Sequence, residues 1–214
     1  MITREAIQTG IQPRARLTVY LVDDDAAIRD AISLVLSLRG YQIAQFSSAE
    51  GFFEAFDALW TGCVVADIRM PGMSGLQLQS ELAARGSTLP VVIITGHGDV
   101  AAARTAFRNH AIDFLEKPFD DEQLIDAIET AYSHELGRLN NEAASSRRDQ
   151  VIASLSTRER EVLKLVVRGL HAREIGDQLG ISHRTVEVHK AHIMEKMGVR
   201  SVVEIVRLAE GLMD

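Results

Sequence analysis

Between residues 17 and 135 the chain repeats one pattern five times: a short β-branched apolar run, then a stretch with apolar residues at helical spacing. The runs are LTVYLV (17–22), YQIAQF (41–46), CVVA (63–66), PVVIIT (90–95) and AIDFL (111–115). Between and after them come Ile28, Ile32, Val35 and Leu36, then Phe52, Phe53, Phe56 and Leu59, then Leu76, Leu78 and Leu82, and finally Leu124, Ile125, Ile128 and Tyr132. Strands that are apolar throughout are buried on both faces, and their alternation with amphipathic helices predicts a parallel sheet covered on both sides. The predicted fold class is α/β, a flavodoxin-like (βα)5 doubly wound parallel sheet, whose site lies at the carboxyl ends of the strands.

From residue 155 the pattern changes to helices only, which predicts a separate all-α domain of four helices. Ser156-Thr-Arg-Glu159 is a capping box at the start of the first, which Gly169 ends. HAREIGDQL (171–179) is ended by Gly180, Ser182 can cap a third helix closed by Gly198, and Ser201 can cap a fourth. The expected organisation is an N-terminal extension (1–16), a sheet domain (17–136), a polar linker (137–150, GRLNNEAASSRRDQ) and a helical domain (151–214). Helical spacing of Leu136, Leu139 and Ala143 leaves open whether the preceding helix runs on through the linker, with Gly137 weighing against it.

Charge divides the chain in the same way. Residues 1–136 hold 10 Lys/Arg against 19 Asp/Glu, a net of −9, and residues 151–214 hold 10 against 9, a net of +1 with four of the seven histidines. Such asymmetry suggests two domains with different partners. The single cysteine, Cys63, excludes an internal disulfide and a cysteine-based zinc site, and its place in a strand makes it a small buried apolar residue. No run approaches the roughly 18 apolar residues of a membrane helix, and the polar N-terminus lacks the apolar core of a signal peptide. A cytoplasmic protein without a membrane partner is expected.

Four of the five strand ends carry groups with chemistry. The first ends in Asp23-Asp24-Asp25, the third in Asp67, the fourth in Thr95, and Lys117-Pro118 follows the fifth. Asp67 sits one step too early to cap the Met-Pro-Gly-Met-Ser-Gly turn behind it, so it needs another role. Packed carboxylates repel, and a hard divalent cation such as Mg²⁺, which takes one or two carboxylates with carbonyls and waters, relieves that. A bound cation also recruits phosphate. Thr95 could donate to a phosphoryl oxygen, Lys117 could oppose its charge, and the central Asp67 could accept the phosphoryl group as an acyl phosphate. Any one of these alone has a bland explanation: Asp25 is as well placed to cap a helix, and Lys-Pro is a common turn. Their coincidence at the proper ends of four strands is what carries weight.

LVDD, VVADIRMPGMSG, VVIITGHGD and FLEKPF together resemble the receiver domain of two-component response regulators. The resemblance implies that a partner histidine kinase phosphorylates Asp67. It implies further that Asp24, Asp67 and the Arg69 carbonyl hold Mg²⁺, with Asp23 supporting through water. Thr95 and Phe114 match the switch hydroxyl and switch aromatic of such domains, Lys117 their lysine, and the peptide before Pro118 is expected to be cis. Gly96 would leave the phosphoryl group room, while Arg69 and His97 would flank the path of an attacking water and set the lifetime of the acyl phosphate.

In the helical domain, HAREIGDQLGISHRTVEVHKAHIM has the helix, tight turn and helix of a helix-turn-helix. Ile175, Leu179, Ile181, Val186 and Ile193 would form its core, and Gly176 lies where the two helices should approach closely. Ser182 at the start of the second helix and Arg184, Thr185, Glu187, Val188, Lys190 and Ala191 on its exposed face are the candidate DNA contacts. Arg184 and Lys190 can reach phosphates, Val188 a thymine methyl, and Glu187 the amino group of cytosine. His189 and His192 suit packing or phosphate contacts better than a metal, since no third ligand accompanies them. A plain helical hairpin would show much of this pattern. Residues 155–212 more fully resemble the LuxR/NarL-type DNA-binding domain, and the chain as a whole resembles the FixJ-like subgroup of NarL-family regulators. His171, where a better cap is usual, and Glu187, where some relatives carry lysine, depart from the pattern.

The resemblance implies that phosphorylation moves Thr95 and Phe114, reshapes the surface of the fourth helix, fifth strand and fifth helix, and pairs two copies on a two-fold DNA site. It also implies contact with RNA polymerase. Val202, Ile205, Val206 and Ala209 could serve that pairing or simply the domain core. A phosphatase of the haloacid dehalogenase type would share the aspartyl phosphate and Mg²⁺, but its Asp-x-Asp-x-Thr motif is absent, as Ile68-Arg69-Met70 follow Asp67. No enzyme is expected. The remaining rivals are a phosphorylation-independent DNA binder that uses the first domain as a dimerisation scaffold, and a regulator acting through protein contacts alone.

Overall fold

The computed structural model describes residues 17–96 and 100–209. It divides into two compact units between Leu139 and Asn140. In the first, strands β1 (Thr18–Val22), β2 (Gln42–Phe46), β3 (Gly62–Asp67), β4 (Val91–Thr95) and β5 (Asp113–Glu116) alternate with helices α1 (Ala26–Leu38), α2 (Ala49–Ala55), α3 (Gly75–Ala84), α4 (Val100–Arg108) and the first part of α5 (Asp121–Ser154), which runs on past Leu139. The sheet order is β2-β1-β3-β4-β5 and every pairing is parallel. This is the flavodoxin-like fold, and the order reverses between β1 and β3, the crevice where such sheets place their sites.

Strand side chains alternate between faces, so each buried strand feeds two cores. Val19, Leu21, Cys63, Val65, Val92 and Ile94 meet Ile32 and Leu36 of α1 and Leu124, Ile128 and Tyr132 of α5. Tyr20, Val22, Val64, Ala66, Val91 and Ile93 meet Phe52 of α2, Leu78 and Leu82 of α3 and Ala106 of α4. Each large side chain wholly withdrawn from water, such as Phe52 or Ile94, contributes about 1.5–3 kcal/mol. On the second face the half-buried Trp60 stacks on Tyr20, ring centroids 4.2 Å apart and planes 3° from parallel. Cys63 is fully buried, and burial pushes its thiol far above the usual range.

The fifth strand starts at Asp113, two residues later than the apolar run AIDFL suggests: the Ala111 N–H is taken by the Ala106 carbonyl of α4 (2.9 Å), and Ile112 is the first residue to donate to β4, at the Val91 carbonyl (2.8 Å). Residues 137–150 are helical throughout, since α5 continues unbroken to Ser154. The expected extension, residues 1–16, lies outside the described residues.

The second unit holds α6 (Thr157–Val167), α7 (Ala172–Leu179), α8 (His183–Met197) and α9 (Val202–Ala209) around Leu155, Val162, Ile175, Val186, Ile193 and Ile205. The Ser156–Glu159 capping box forms as the spacing predicts. Ser182 caps α8 by accepting from the Thr185 N–H at 3.1 Å. His171, which makes no side-chain capping bond, is assisted by Glu174, whose carboxylate accepts the His171 N–H at 2.7 Å. Among the described residues no helix is long and apolar enough to cross a membrane.

Candidate functional site

The carboxyl edge of the sheet brings Asp23, Asp67 and Lys117 together. Asp67 closes β3, and Asp23 follows β1, its neighbour in the sheet. Both side chains are almost wholly buried, at 8% and 1% exposure. The Lys117 ammonium donates to Asp67 Oδ1 and to Asp23 Oδ2, at 2.7 Å each. The other oxygens are also engaged: Asp67 Oδ2 accepts the Arg69 N–H at 2.6 Å, and Asp23 Oδ1 the Asp25 N–H at 2.8 Å. The Lys117–Pro118 peptide is cis.

Burial is the largest influence on Asp67 and raises its pKa; Lys117 pulls it down, Asp23 pushes it up, and the net shift is upward. Burial also works against the charge of Lys117, but the hydrogen bonds to Asp23 and Asp67 outweigh it and leave the ammonium held above its ordinary value. A desolvated carboxylate beside a firmly charged lysine is an arrangement that can serve as a nucleophile next to an anion-binding group.

Thr95 closes β4 with its side chain fully buried, and its carbonyl accepts the Lys117 N–H at 2.7 Å. In the neighbouring strand Thr95 is level with Glu116, and Phe114 lies two residues behind, level with Ile93. Among the described residues, a Cβ on Gly96 would meet nothing within 4 Å. On the other side of Asp67 the backbone is tight, for a Cβ on Gly75 would lie 2.3 Å from the Asp67 carbonyl oxygen. Asp24 is exposed on the loop after β1, and Asp25 caps α1, accepting from the Ala27 and Ile28 N–H groups at 2.8 and 3.4 Å. Arg69 is exposed, and His97 lies outside the described residues.

Among the described residues no group of three His, Cys, Asp or Glu side chains is gathered as a metal site. The oxygens available here are the carboxylates of buried Asp23 and Asp67 and of exposed Asp24, with backbone carbonyls of the adjoining loops. That set fits Mg²⁺, which keeps several waters and needs few protein oxygens. Two contacts escaped sequence reasoning: Arg29 donates to the Asp23 carbonyl at 2.6 Å, and Glu50 accepts the Met73 N–H at 2.8 Å. Neither has a local signal, since each depends on how a helix packs beside a loop.

In the second unit Gly180 turns the chain from α7 into α8, as the helix-turn-helix reading requires. The approach at Gly176 is close, with a Cβ there 2.7 Å from the Ile181 carbonyl oxygen. Arg184, Thr185, Glu187, Val188 and Ala191 are exposed on α8. The exposed face does not include Lys190 in full. Its side chain is only 17% exposed and donates to Glu187 at 2.9 Å, drawn toward a cleft it lines with His171, Arg173, Val202 and Val206. Ser182 and Thr185 bond to each other through their hydroxyls at 2.8 Å.

His189 is partly buried and His192 stands 3.8 Å from Glu159, so neither belongs to a metal cluster among the described residues. Buried Glu159 accepts from Lys196 of α8 at 2.7 Å, and that contact, aided by the Ser156 N–H, lowers its pKa to about 2. On α9, Ile205 is fully buried in the domain core and Val202 packs against that core, so this much of the apolar stripe is domain core. The Ala209 side chain lies outside the described ones.

Known proteins agree with both halves. The family model described as response regulator receiver domain matches residues 19–129, and that of bacterial regulatory proteins, luxR family, matches residues 153–209. The transcriptional regulatory protein FixJ of Azorhizobium caulinodans is 45% identical over 193 residues, 90% of this chain and 92% of that one. The response regulator protein TodT of Pseudomonas putida is 39% identical over 210 residues, 97% of this chain and 92% of its own. Among solved structures, response regulator StyR matches with a TM-score of 0.83 at 39% identity, over 92% of this chain and 99% of the other. The chain belongs to the NarL/FixJ-like response regulators of two-component systems, with a receiver domain and a LuxR-type DNA-binding domain.

Proposed function

We propose that this response regulator is a switch operated by phosphorylation of Asp67, with residues 17–136 as the receiver, 151–214 as the DNA-binding domain, 137–150 as their connection and 1–16 as an extension. The observation that carries the reading is the Lys117 ammonium held between two buried carboxylates at the carboxyl edge of the sheet. The donor is a phosphohistidine of a partner histidine kinase. An Asp67 carboxylate oxygen bonds to phosphorus as the P–N bond breaks, the electron pair leaves with the imidazole nitrogen, and that nitrogen takes up a proton. Lys117 faces the incoming negative charge.

Asp24, Asp67 and the Arg69 carbonyl would hold Mg²⁺, with Asp23 acting through water. When bound, the ion supplies charge neutralisation for the phosphoryl oxygens. Thr95 then donates to a phosphoryl oxygen, and Phe114 turns into the space Thr95 leaves. That change alters the surface of α4, β5 and α5 and favours a homodimer. Two helix-turn-helix units thereby reach a two-fold DNA site through Ser182, Arg184, Thr185, Glu187, Val188, Lys190 and Ala191. The protein works in the cytoplasm, acts on transcription through RNA polymerase, and turns over no substrate of its own.

The test compares wild type with Asp67→Ala in Mg²⁺, with and without acetyl phosphate. Phosphoprotein is followed by gel shift and mass by light scattering. A phosphorylated dimer from wild type alone supports the reading. Phosphorylation without pairing removes the dimer step, and no change in either protein refutes the switch.

A further inference from the structure

Between Asp67 and α3 several N–H groups are bonded to the neighbouring strand or to the loop itself. Ile68 donates to the Ile94 carbonyl at 2.9 Å and Gly75 to the Ile68 carbonyl at 3.2 Å. Arg69 donates to Asp67 Oδ2 at 2.6 Å, and Ser74 to Gln77 Oε1 at 2.9 Å. Met73 is instead held by a side chain from another element: its N–H reaches Glu50 Oε1, 23 residues away, at 2.8 Å.

Glu50 sits in the first turn of α2, between Ala49 and Phe52. Ala49 and Phe52 are both fully buried and fix that turn against the sheet. The loop is fitted closely to this carboxylate. Gly72 has φ 77, and a Cβ there would lie 2.6 Å from the same Oε1. Glu50 is exposed, so water could satisfy its charge without any fixed geometry. Holding a flexible glutamate on one backbone N–H costs side-chain entropy, which the charge-assisted hydrogen bond offsets.

We propose that Glu50 is a positioning residue for the acidic site: by tethering Met73 it fixes the loop that presents Arg69 beside Asp67, and so raises the affinity of that site for a divalent cation. The inference rests on the reading of the site as a Mg²⁺-assisted phosphoacceptor. Glu50 is neither a ligand nor a partner of the phosphoryl group; its effect passes through the backbone of residues 68–75.

The test uses the full chain with Glu50→Ala and Glu50→Gln. Calorimetric titration with MgCl₂ alone gives affinity, and amide hydrogen exchange of residues 68–75 without metal gives the order of the loop. The alanine variant is expected to bind Mg²⁺ about five- to tenfold more weakly and to exchange faster in this loop. The glutamine variant, whose amide oxygen still accepts from Met73, should stay within about twofold of wild type. Should the alanine protein not fold, Glu50→Asp, one methylene too short to reach, takes its place. Unchanged Mg²⁺ affinity without the tether overturns the proposal, and so does equal weakening by alanine and glutamine, which would assign the effect to charge. Failure of wild type to bind Mg²⁺ overturns the underlying reading of the site, and is told apart because it appears before any variant is compared.

Discussion

The ammonium of Lys117 lies 2.7 Å from Asp67 Oδ1, and after burial it is the strongest influence on that carboxyl, acting to keep it ionised. Lys117→Met therefore leaves Asp67 with a pKa raised further. Phosphorylation by acetyl phosphate should slow by about tenfold or more near neutral pH, and part of that loss should return as pH is raised and the carboxylate reforms. Initial rates across about pH 6 to 9 check this. A profile that keeps its wild-type midpoint would separate Lys117 from the ionisation of Asp67.

Glu159 titrates at about 2 in the folded chain against an ordinary 4.5, because Lys196 and the Ser156 N–H favour its charged form. A depressed carboxyl stabilises the fold above its unfolded value and loses that contribution as pH falls from 4.5 toward 2. Glu159→Gln keeps an acceptor but has no charge to lose. The variant should melt a few degrees lower near neutral pH, and the gap should close in acid. Thermal melts by circular dichroism, repeated down the pH scale, measure that gap.

Alanine is the better helix former, so Gly176→Ala gains about 1 kcal/mol in propensity. Its Cβ, however, would lie 2.7 Å from the Ile181 carbonyl oxygen, a backbone atom in the turn that cannot swing aside. Overpacking of this kind costs about 1–3 kcal/mol. The net outcome is a domain less stable by roughly 1 kcal/mol, read from urea unfolding, with weaker DNA binding because α7 and α8 are forced apart.

Glu187 holds Lys190 at 2.9 Å and adds a negative charge to the exposed side of α8. Glu187→Gln releases that lysine for phosphate. Affinity for random-sequence duplex should rise by about threefold, and the slope of log K against log salt should steepen by about 1. Filter binding over a salt series tests both. A rise in affinity with an unchanged slope would mean that Lys190 stays in its cleft.

What was legible in the residues is what local chemistry decides. The continuous apolar strand runs, the Ser156–Glu159 box and the Ser182 cap depend on residues close in sequence, and they form where the residues put them, β5 alone starting two residues late. Asp67, Thr95 and Lys117 were legible because a parallel sheet delivers all its strand ends to one edge. The approach at Gly176 was legible too, since a glycine inside a helix costs stability and needs a reason. The Glu50–Met73 and Glu159–Lys196 contacts were not, because each joins elements far apart in sequence through long side chains whose direction packing decides. Lys190 was read as part of the exposed face for a related cause: its stem lies at the border of the core, beside Val202 and Val206, while its ammonium is tied to Glu187. Gly137 argued against a continuous α5, yet the helix passes through it, and a Cβ there would meet nothing within 4 Å.

The stack of Trp60 on Tyr20 gives the protein a built-in optical reporter. Trp60 is the sole tryptophan of the chain, so intrinsic emission arises within the sheet unit, next to the ring of a β1 tyrosine. Far-ultraviolet ellipticity draws instead on helices of both units. One denaturant titration followed through both signals thus separates the unfolding of the receiver from that of the whole chain, with no label attached and no domain cut away.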